Sequence, residues 1–492
     1  MSKKGILLIL DVYGEGEKGE FNAVDNAKTP FLKHLKTLSH SLLKTDGEAV
    51  GLFEGDMGGS EVGHTTIGAG RVILGRAKEI QTDIDSGNFV NNKQFKQVLK
   101  GLKDNGGNLH LVGLMSDKNV HSNINHALAI IDAANAEVNH IFLHIITDGR
   151  DCGITESLNY LAQVQERIKN YKNCEIASVC GRVFAMDREN NLERTENAFK
   201  AMFKAEGGIT AKQLPNYLKE QHLMGNTDEF VQPISIKTSV NHKVAENDYV
   251  WFFNFREDRL RQIVTMASKE LPSTIVTMAN VDVAKTLVIY PSSVVKNTLS
   301  EYLSKLGKTQ VKISESTKYA HVTYFLNGGE EKPFKGEDRI HIPTEKLEKF
   351  DAKPKMQAKK ITSNTIKAVK SGYDAVIVNF SNADMIGHTG NYLAAVKSLE
   401  YLDGCVKKIA QVAKKYGYFM IVTADHGNSE TMRTKTGQPH TAHTLNKVFC
   451  VILDETEHKM KPEGELKDVA PTFMDLMQEK PNKHFTGKSL II

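Results

Sequence analysis

Short apolar runs recur along this chain, each followed by a segment of helical spacing, and no other feature limits the fold as strongly. "GILLIL" (5–10), "HLVGLM" (110–115), "IFLHII" (141–146), "EIASVC" (175–180) and "YVWFFNF" (249–255) read as strands. So do "HVTYFL" (321–326), "AVIVNF" (375–380), "YFMIVT" (418–423) and "VFCVIL" (448–453). "TPFLKHLKTL" (29–38) reads as a helix with Thr29 as N-cap and Pro30 in the first position. Strands alternating with helices predict an α/β fold with mainly parallel sheets covered on both faces.

In open α/β sheets, ligands bind beyond the carboxyl ends of the strands, so the residues that follow each run carry the chemistry. "GILLIL" runs into Asp11, "AVIVNF" into Asp384 and His388, and "YFMIVT" into Asp425 and His426, while His440 and His443 precede "VFCVIL". The first of these signals is N-terminal and the others lie beyond residue 380. If they share one site, residues 1–74 and 310–492 form a discontinuous domain and 75–309 an inserted one. Strand ends in the insert carry His121, Arg150, Asp151, Arg182, Arg188, Arg256 and Arg259.

Aspartates and histidines in these positions suit divalent cations such as manganese or zinc. Asp384 and His388, four apart, share a face of a helical turn. Asp425 and His426 are adjacent, which lets a turn splay them toward two different ions. Ser60 lies in "GDMGGSEVGHTTIGAG", where the glycines let a backbone approach a ligand closely. A helix starting at Ser60 would favour an anion at its amides. The residues alone leave Ser60 open to two roles: an N-cap with Glu61 in the first turn, or a nucleophile activated by a neighbouring metal. Arginine binds carboxylate and phosphate bidentately, so five strand-end arginines suggest a cleft for a small acid with more than one negative charge. "GEGEKG" (14–19) does not open a helix and is set aside as a dinucleotide fingerprint, and no G-K-[ST] follows Ser60.

Composition narrows the partners. A net charge of +4 with interspersed signs argues against nucleic acid and membrane surfaces. No apolar run has spanning length, and five scattered cysteines without C-x-x-C read as reduced thiols in a cytoplasm.

Taken together and in order, "MGGSEVGHTTIGAGR", "VHSN", "TDGRD", "GRVFAMDRE", "FNFREDRLRQ", "KYAHVTYFLNGGEE", "NADMIGHTG", "TADHGN" and "HTAHT" closely resemble the cofactor-independent phosphoglycerate mutases, a branch of the alkaline phosphatase superfamily. The resemblance covers nearly the whole chain. It implies an alkaline-phosphatase-like metal-binding domain with an inserted α/β phosphotransferase domain. It implies two metal ions, usually manganese, and no bisphosphoglycerate. Asp11, Ser60, Asp425 and His426 match the ligands of one ion, and Asp384, His388 and His443 those of the other. Ser60 matches the nucleophile that becomes phosphoserine. His121, Arg150, Asp151, Arg182, Arg188, Arg256, Arg259 and Lys318 match substrate-binding and acid/base positions, with Asp151 and His121 handling protons. The implied reaction is interconversion of 3-phosphoglycerate and 2-phosphoglycerate, by a protein expected to be monomeric. Four positions depart from the family pattern: Val12 for glycine, Asn123 for histidine, Thr317 for an acidic residue and Lys447 for proline. Two rivals stand beside this reading: another superfamily activity, such as a phosphatase or phosphopentomutase, and an impaired paralogue that binds metal without turnover.

Overall fold

The computed structural model describes residues 3–206 and 208–492, and its contacts divide the chain into two compact units. The first comprises Met1–Gly75 and Ser293–Ile492, the second Arg76–Ser292. The return crossing thus falls earlier than the expected 310. The helix Leu299–Lys305 buries Leu299 and Leu303 in the core of the first unit and so draws the preceding linker with it.

With strands numbered in chain order, the first unit contributes β1 (Lys4–Leu10) and β2 (His40–Lys44) ahead of the insert. The insert holds β3 (Leu109–Met115), β4 (Ile141–Thr147), β5 (Cys174–Gly181), β6 (Ile209–Thr210), β7 (Ile234–Lys237), β8 (Tyr249–Phe252), β9 (Thr274–Thr277) and β10 (Thr286–Val288). The first unit resumes with β11 (Gln310–Glu315), β12 (Glu337–Ile342), β13 (Ala375–Phe380), β14 (Tyr418–Thr423), β15 (Val448–Leu453) and β16 (Glu463–Glu465).

The sheet of the first unit has the order β12-β11-β13-β1-β14-β15-β2-β16. β1 lies parallel between β13 and β14, with Leu8 opposite Val378 on one side and Val422 on the other. β15 runs antiparallel to both β14 and β2. Strands buried on both faces explain the unbroken apolar runs. The insert's sheet has the order β10-β9-β8-β3-β4-β5-β7-β6, with β8, β3, β4 and β5 parallel. Its two faces carry separate cores: Leu111 and Met115 point into one, Val112 and Leu114 into the other.

"HVTYFL" is not a strand. Ser316–Ala320 is α-helical and His321–Phe325 continues it as a widened π-turn. Its β-branched and aromatic residues mimic strand composition, but its buried apolar residues are Val322 and Leu326, four apart. "YVWFFNF" pairs only as far as Phe252, and Thr29 and Pro30 begin a helix that ends at Leu35. Among the described residues, no helix is long and apolar enough to cross a membrane.

Candidate active site

The topology of the first sheet brings the strand-end residues together. β11, β13, β1 and β14 are consecutive parallel neighbours, and beyond their carboxyl ends lie Lys318, Asp384, Asp11 and Asp425 respectively. β15 is antiparallel to them, so the loop that enters it, with His443, reaches the same edge. Two groups that could each hold a metal ion result, with their potential ligand atoms within 4.8 Å of one another: Asp384, His388 and His443, and Asp11, Asp425 and His426. Asp425 and His426 therefore serve one group and are not splayed toward two. His440 belongs to neither.

Ser60 is the first residue of the helix Ser60–Ala69, whose N-cap is Gly59. The hydroxyl does not cap the helix. It lies 2.8 Å from His426 Nε2 and 3.3 Å from Asp11 Oδ1, and it accepts a hydrogen bond from Lys318 Nζ at 2.5 Å. Lys318 also pairs with Asp11 Oδ1 at 3.0 Å and Asp384 Oδ2 at 2.6 Å, so one buried ammonium touches both ligand groups. The glycines around Ser60 have a reason beyond ligand access. A Cβ on Gly58 would lie 1.8 Å from the Thr45 carbonyl oxygen, and one on Gly68 2.0 Å from that of Leu326. Only bare backbone lets this helix seat so closely.

The histidine tautomers follow from their outer hydrogen bonds. Nδ1 of His388 donates to the Thr441 carbonyl (2.7 Å) and Nδ1 of His443 to the Gly58 carbonyl (2.8 Å). Each Nε2 is left with a lone pair, and both approach Asp384 Oδ1, at 3.0 and 3.5 Å. Two residues that the sequence reading passed over hold the other group. Asn379 Nδ2 donates to Asp11 Oδ2 (2.8 Å) and lies 3.1 Å from His64 Nε2, while His64 Nδ1 donates to the Ser60 carbonyl (2.9 Å). Asn379 was detectable as the one polar residue inside a buried apolar run, and His64 as Ser60's neighbour one helical turn on.

The charge arrangement fits divalent cations. Asp11, Asp384 and Asp425 are buried and face a single ammonium. Neither oxygen of Asp425 accepts a hydrogen bond: His64 Nδ1 comes within 3.1 Å of Oδ2 but directs its hydrogen at the Ser60 carbonyl. A buried carboxylate without donors calls for a cation. Burial raises the Asp11 carboxyl, and Asp425 beside it adds to the rise against the pull of Lys318. Burial would raise Asp425 as well, but the basic groups beside it, His426 first and Lys318 with it, hold it well below the usual carboxylate range. Lys318 is raised because Asp11, Asp384 and Asp425 outweigh its desolvation.

The second unit gathers the arginines by the same logic, at the carboxyl ends of β8, β4 and β5, with His121 beyond β3 between them. Arg182 is buried and its Nη1 bridges Asp148 Oδ1 (2.5 Å) and Asp151 Oδ2 (2.7 Å). His121 Nε2 lies 3.8 Å from Asp151 Oδ2. Desolvation, with Arg182 adding repulsion, lowers His121 to about 4, so it is neutral at pH 7. Arg150 pairs with Glu229, and Arg256 and Arg259 share Asp258. Arg150, Arg182 and Arg188 line a cavity of about 250 Å³, and Arg188 and Arg259 a second of about 570 Å³. Arg188 has no carboxylate partner among the described residues and borders both. Asn123 departs from the family pattern for a visible reason: it caps the helix Ile124–Ala134. Lys447 pairs with Glu463. Nothing in the structure explains Thr317.

Comparison with known proteins decides the family. Residues 3–481 match the Metalloenzyme superfamily. The chain is 41% identical to "2,3-bisphosphoglycerate-independent phosphoglycerate mutase 1" of Methanosarcina barkeri, over 99% of this chain and 98% of that one. It belongs to the 2,3-bisphosphoglycerate-independent phosphoglycerate mutases. The mutase of that name from Moorella thermoacetica is 38% identical over 99% of this chain and 98% of its own length. Among solved structures, a Leishmania mexicana phosphoglycerate mutase studied at low cobalt concentration superimposes with a TM-score of 0.67. It is 29% identical and covers 100% of this chain and 98% of its own. Membership in this mutase family sets aside the phosphatase and phosphopentomutase readings.

Proposed function

We propose that this protein interconverts 3-phosphoglycerate and 2-phosphoglycerate in glycolysis and gluconeogenesis, without bisphosphoglycerate, through a phosphoserine at Ser60. The observation that carries the reading is the Ser60 hydroxyl, held at once by Asp11, His426 and Lys318 where the two ligand groups meet. Asp11, Ser60, Asp425 and His426 would hold one divalent cation and Asp384, His388 and His443 a second; the mixed carboxylate and imidazole donors suit manganese or zinc, and the family resemblance favours manganese. Bound there, the cations would favour the serine alkoxide and neutralise phosphoryl oxygens.

The chain's own groups supply the rest. The Lys318 hydrogen bond favours the alkoxide of Ser60, and the first-turn amides of its helix favour the arriving anion. Ser60 Oγ gives up its proton and forms a bond to phosphorus as the bond from phosphorus to the glycerate O3 breaks, and O3 takes a proton. In the return step, the glycerate 2-hydroxyl attacks the phosphoserine and gives up its proton, while the bond from Oγ to phosphorus breaks and Oγ takes a proton back. Asp151 and neutral His121, paired in the second unit, are assigned to carry these protons. Arg182 and Arg188 are assigned to the glycerate carboxylate, Arg256 and Arg259, with Lys318, to the phosphate, and Arg150 to substrate binding. Arg182 suits its task because Asp148 and Asp151 fix the guanidinium from behind. The five unpaired cysteines support a reducing cytoplasm, where the protein is proposed to act as a monomer.

The test is a brief reaction with phosphate-labelled 3-phosphoglycerate, acid quench and peptide mapping. Label on Ser60, and its loss together with mutase activity in Ser60→Ala, is the expected result. Label on a histidine, or turnover by Ser60→Ala within tenfold of the parent, would overturn it.

A further inference from the structure

One buried carboxylate outside both ligand groups lies between the two arms of the β14–β15 connection, which carry His426 and His443, and against the loop that leaves β1 with Asp11. Glu430 is 3% exposed. Its Oε2 accepts the amide of Asn428 at 2.8 Å, two residues after His426. Its Oε1 accepts the hydroxyl of Thr444, the residue after His443, and Asn446 Nδ2 at 3.0 Å. The loop that leaves β1 after Asp11 is the other neighbour, and bare backbone lies against the carboxylate. A Cβ on Gly14 would fall 2.4 Å from Glu430 Cδ, and one on Gly427 2.3 Å from Oε1. Gly14 also bridges to Val448, and Gly427 to Thr444, so the loops are joined around this side chain.

We propose that Glu430 is a positioning residue for the metal centre: its carboxylate sets the spacing between the Asp11, His426 and His443 loops and thereby the affinity of the cations. The physical reason is acceptor count. Both oxygens receive donors, one from the His426 arm of the β14–β15 connection and two from its His443 arm, so a single group ties the two ends of that connection together. An amide is a weaker substitute. In Glu430→Gln the oxygen is kept for the Asn428 amide, and the nitrogen then meets Thr444 and Asn446, whose hydroxyl and amide must reverse direction to accept from it, so the tie is weakened. The role rests on the metal-dependent reading above, yet part of its test does not.

Two variants and two measurements decide it. Glu430→Gln keeps the volume. Gly14→Ala leaves Glu430 in place and presses a methyl against its carboxylate. In metal-free full-length protein, amide hydrogen exchange should rise together in the segments 12–22, 426–432 and 442–448 in both variants. Titration with Mn2+ followed by calorimetry should show affinity falling by roughly 10-fold, the low end of the loss when a direct outer partner of metal ligands is removed, since Glu430 holds the segments that carry the ligands and not the ligand side chains. Faster exchange confined to 426–432, or Mn2+ affinity within twofold of the parent in both variants, would reduce Glu430 to a local tie and overturn the proposal. If the parent binds Mn2+ and loses affinity in the variants but shows no mutase activity, the reading of the reaction fails and the role of Glu430 stands.

Discussion

Val12, the residue after the ligand Asp11, has φ of 69° and is fully buried. A β-branched side chain in left-handed backbone costs about 1–2 kcal/mol. In ordinary extended backbone, glycine here would be less stable than alanine, by about 0.8 kcal/mol for the missing methyl and about 0.5–1 kcal/mol for chain entropy. At φ of 69° glycine recovers the strain that alanine keeps, so the two differences nearly cancel. Val12→Ala and Val12→Gly should both lose roughly 1.5–2 kcal/mol relative to valine, from buried methyl groups, and should lie within about 0.5 kcal/mol of each other. Urea unfolding followed by far-ultraviolet circular dichroism measures this. Mutase activity of both should stay within twofold of the parent. Asp11 is held by its own amide bond to the Phe380 carbonyl (3.1 Å) and by Asn379 (2.8 Å), and not by residue 12. A glycine variant less stable than the alanine variant by 1.5 kcal/mol or more would refute the strain argument. A large gain in rate and Mn2+ affinity in Val12→Gly would refute the second part and mark Val12 as an impairment of Asp11.

Other outcomes follow from the same geometry. Arg182→Ala combined with Arg188→Ala should let glycerate escape before the return transfer, raising the ratio of inorganic phosphate to 2-phosphoglycerate formed from 3-phosphoglycerate; an unchanged ratio would remove these arginines from that role. Chelation should abolish activity and added Mn2+ restore it, whereas full activity in demetallated protein would contradict the cation assignment. The insert should weaken in acid. Desolvation lowers His126 and His242 to about 4 and His110 and His144 below their ordinary value, so the folded form keeps them neutral. The unfolded chain takes up protons as pH falls through about 6.5, so stability declines between about 6.5 and 4. Trp251, the single tryptophan, lies in the core of the insert and reports this unit. The urea midpoint of its fluorescence should be lower at pH 5 than at pH 7, and equal midpoints would count against the buried neutral histidines.

The sequence by itself determined the α/β class, because strands buried on both faces must be nearly all apolar, and the candidate ligands, because Asp and His stand where those runs stop. It also gave the order of the motifs that carry the family. It misread "HVTYFL", since composition alone does not separate a buried strand from a helical turn, and it put the return crossing too late, since nothing local says which core will take Leu299 and Leu303. Only the tertiary structure decided which ligands share a group, because that depends on β13, β1 and β14 being neighbours in space. Only there do Lys318, some 258 residues from Ser60, and Glu430, between two glycine-lined loops, acquire their roles. Hydrogen bonds and ion pairs act over about 3 Å, and residues so far apart in the chain come within that range only after the sheet has formed.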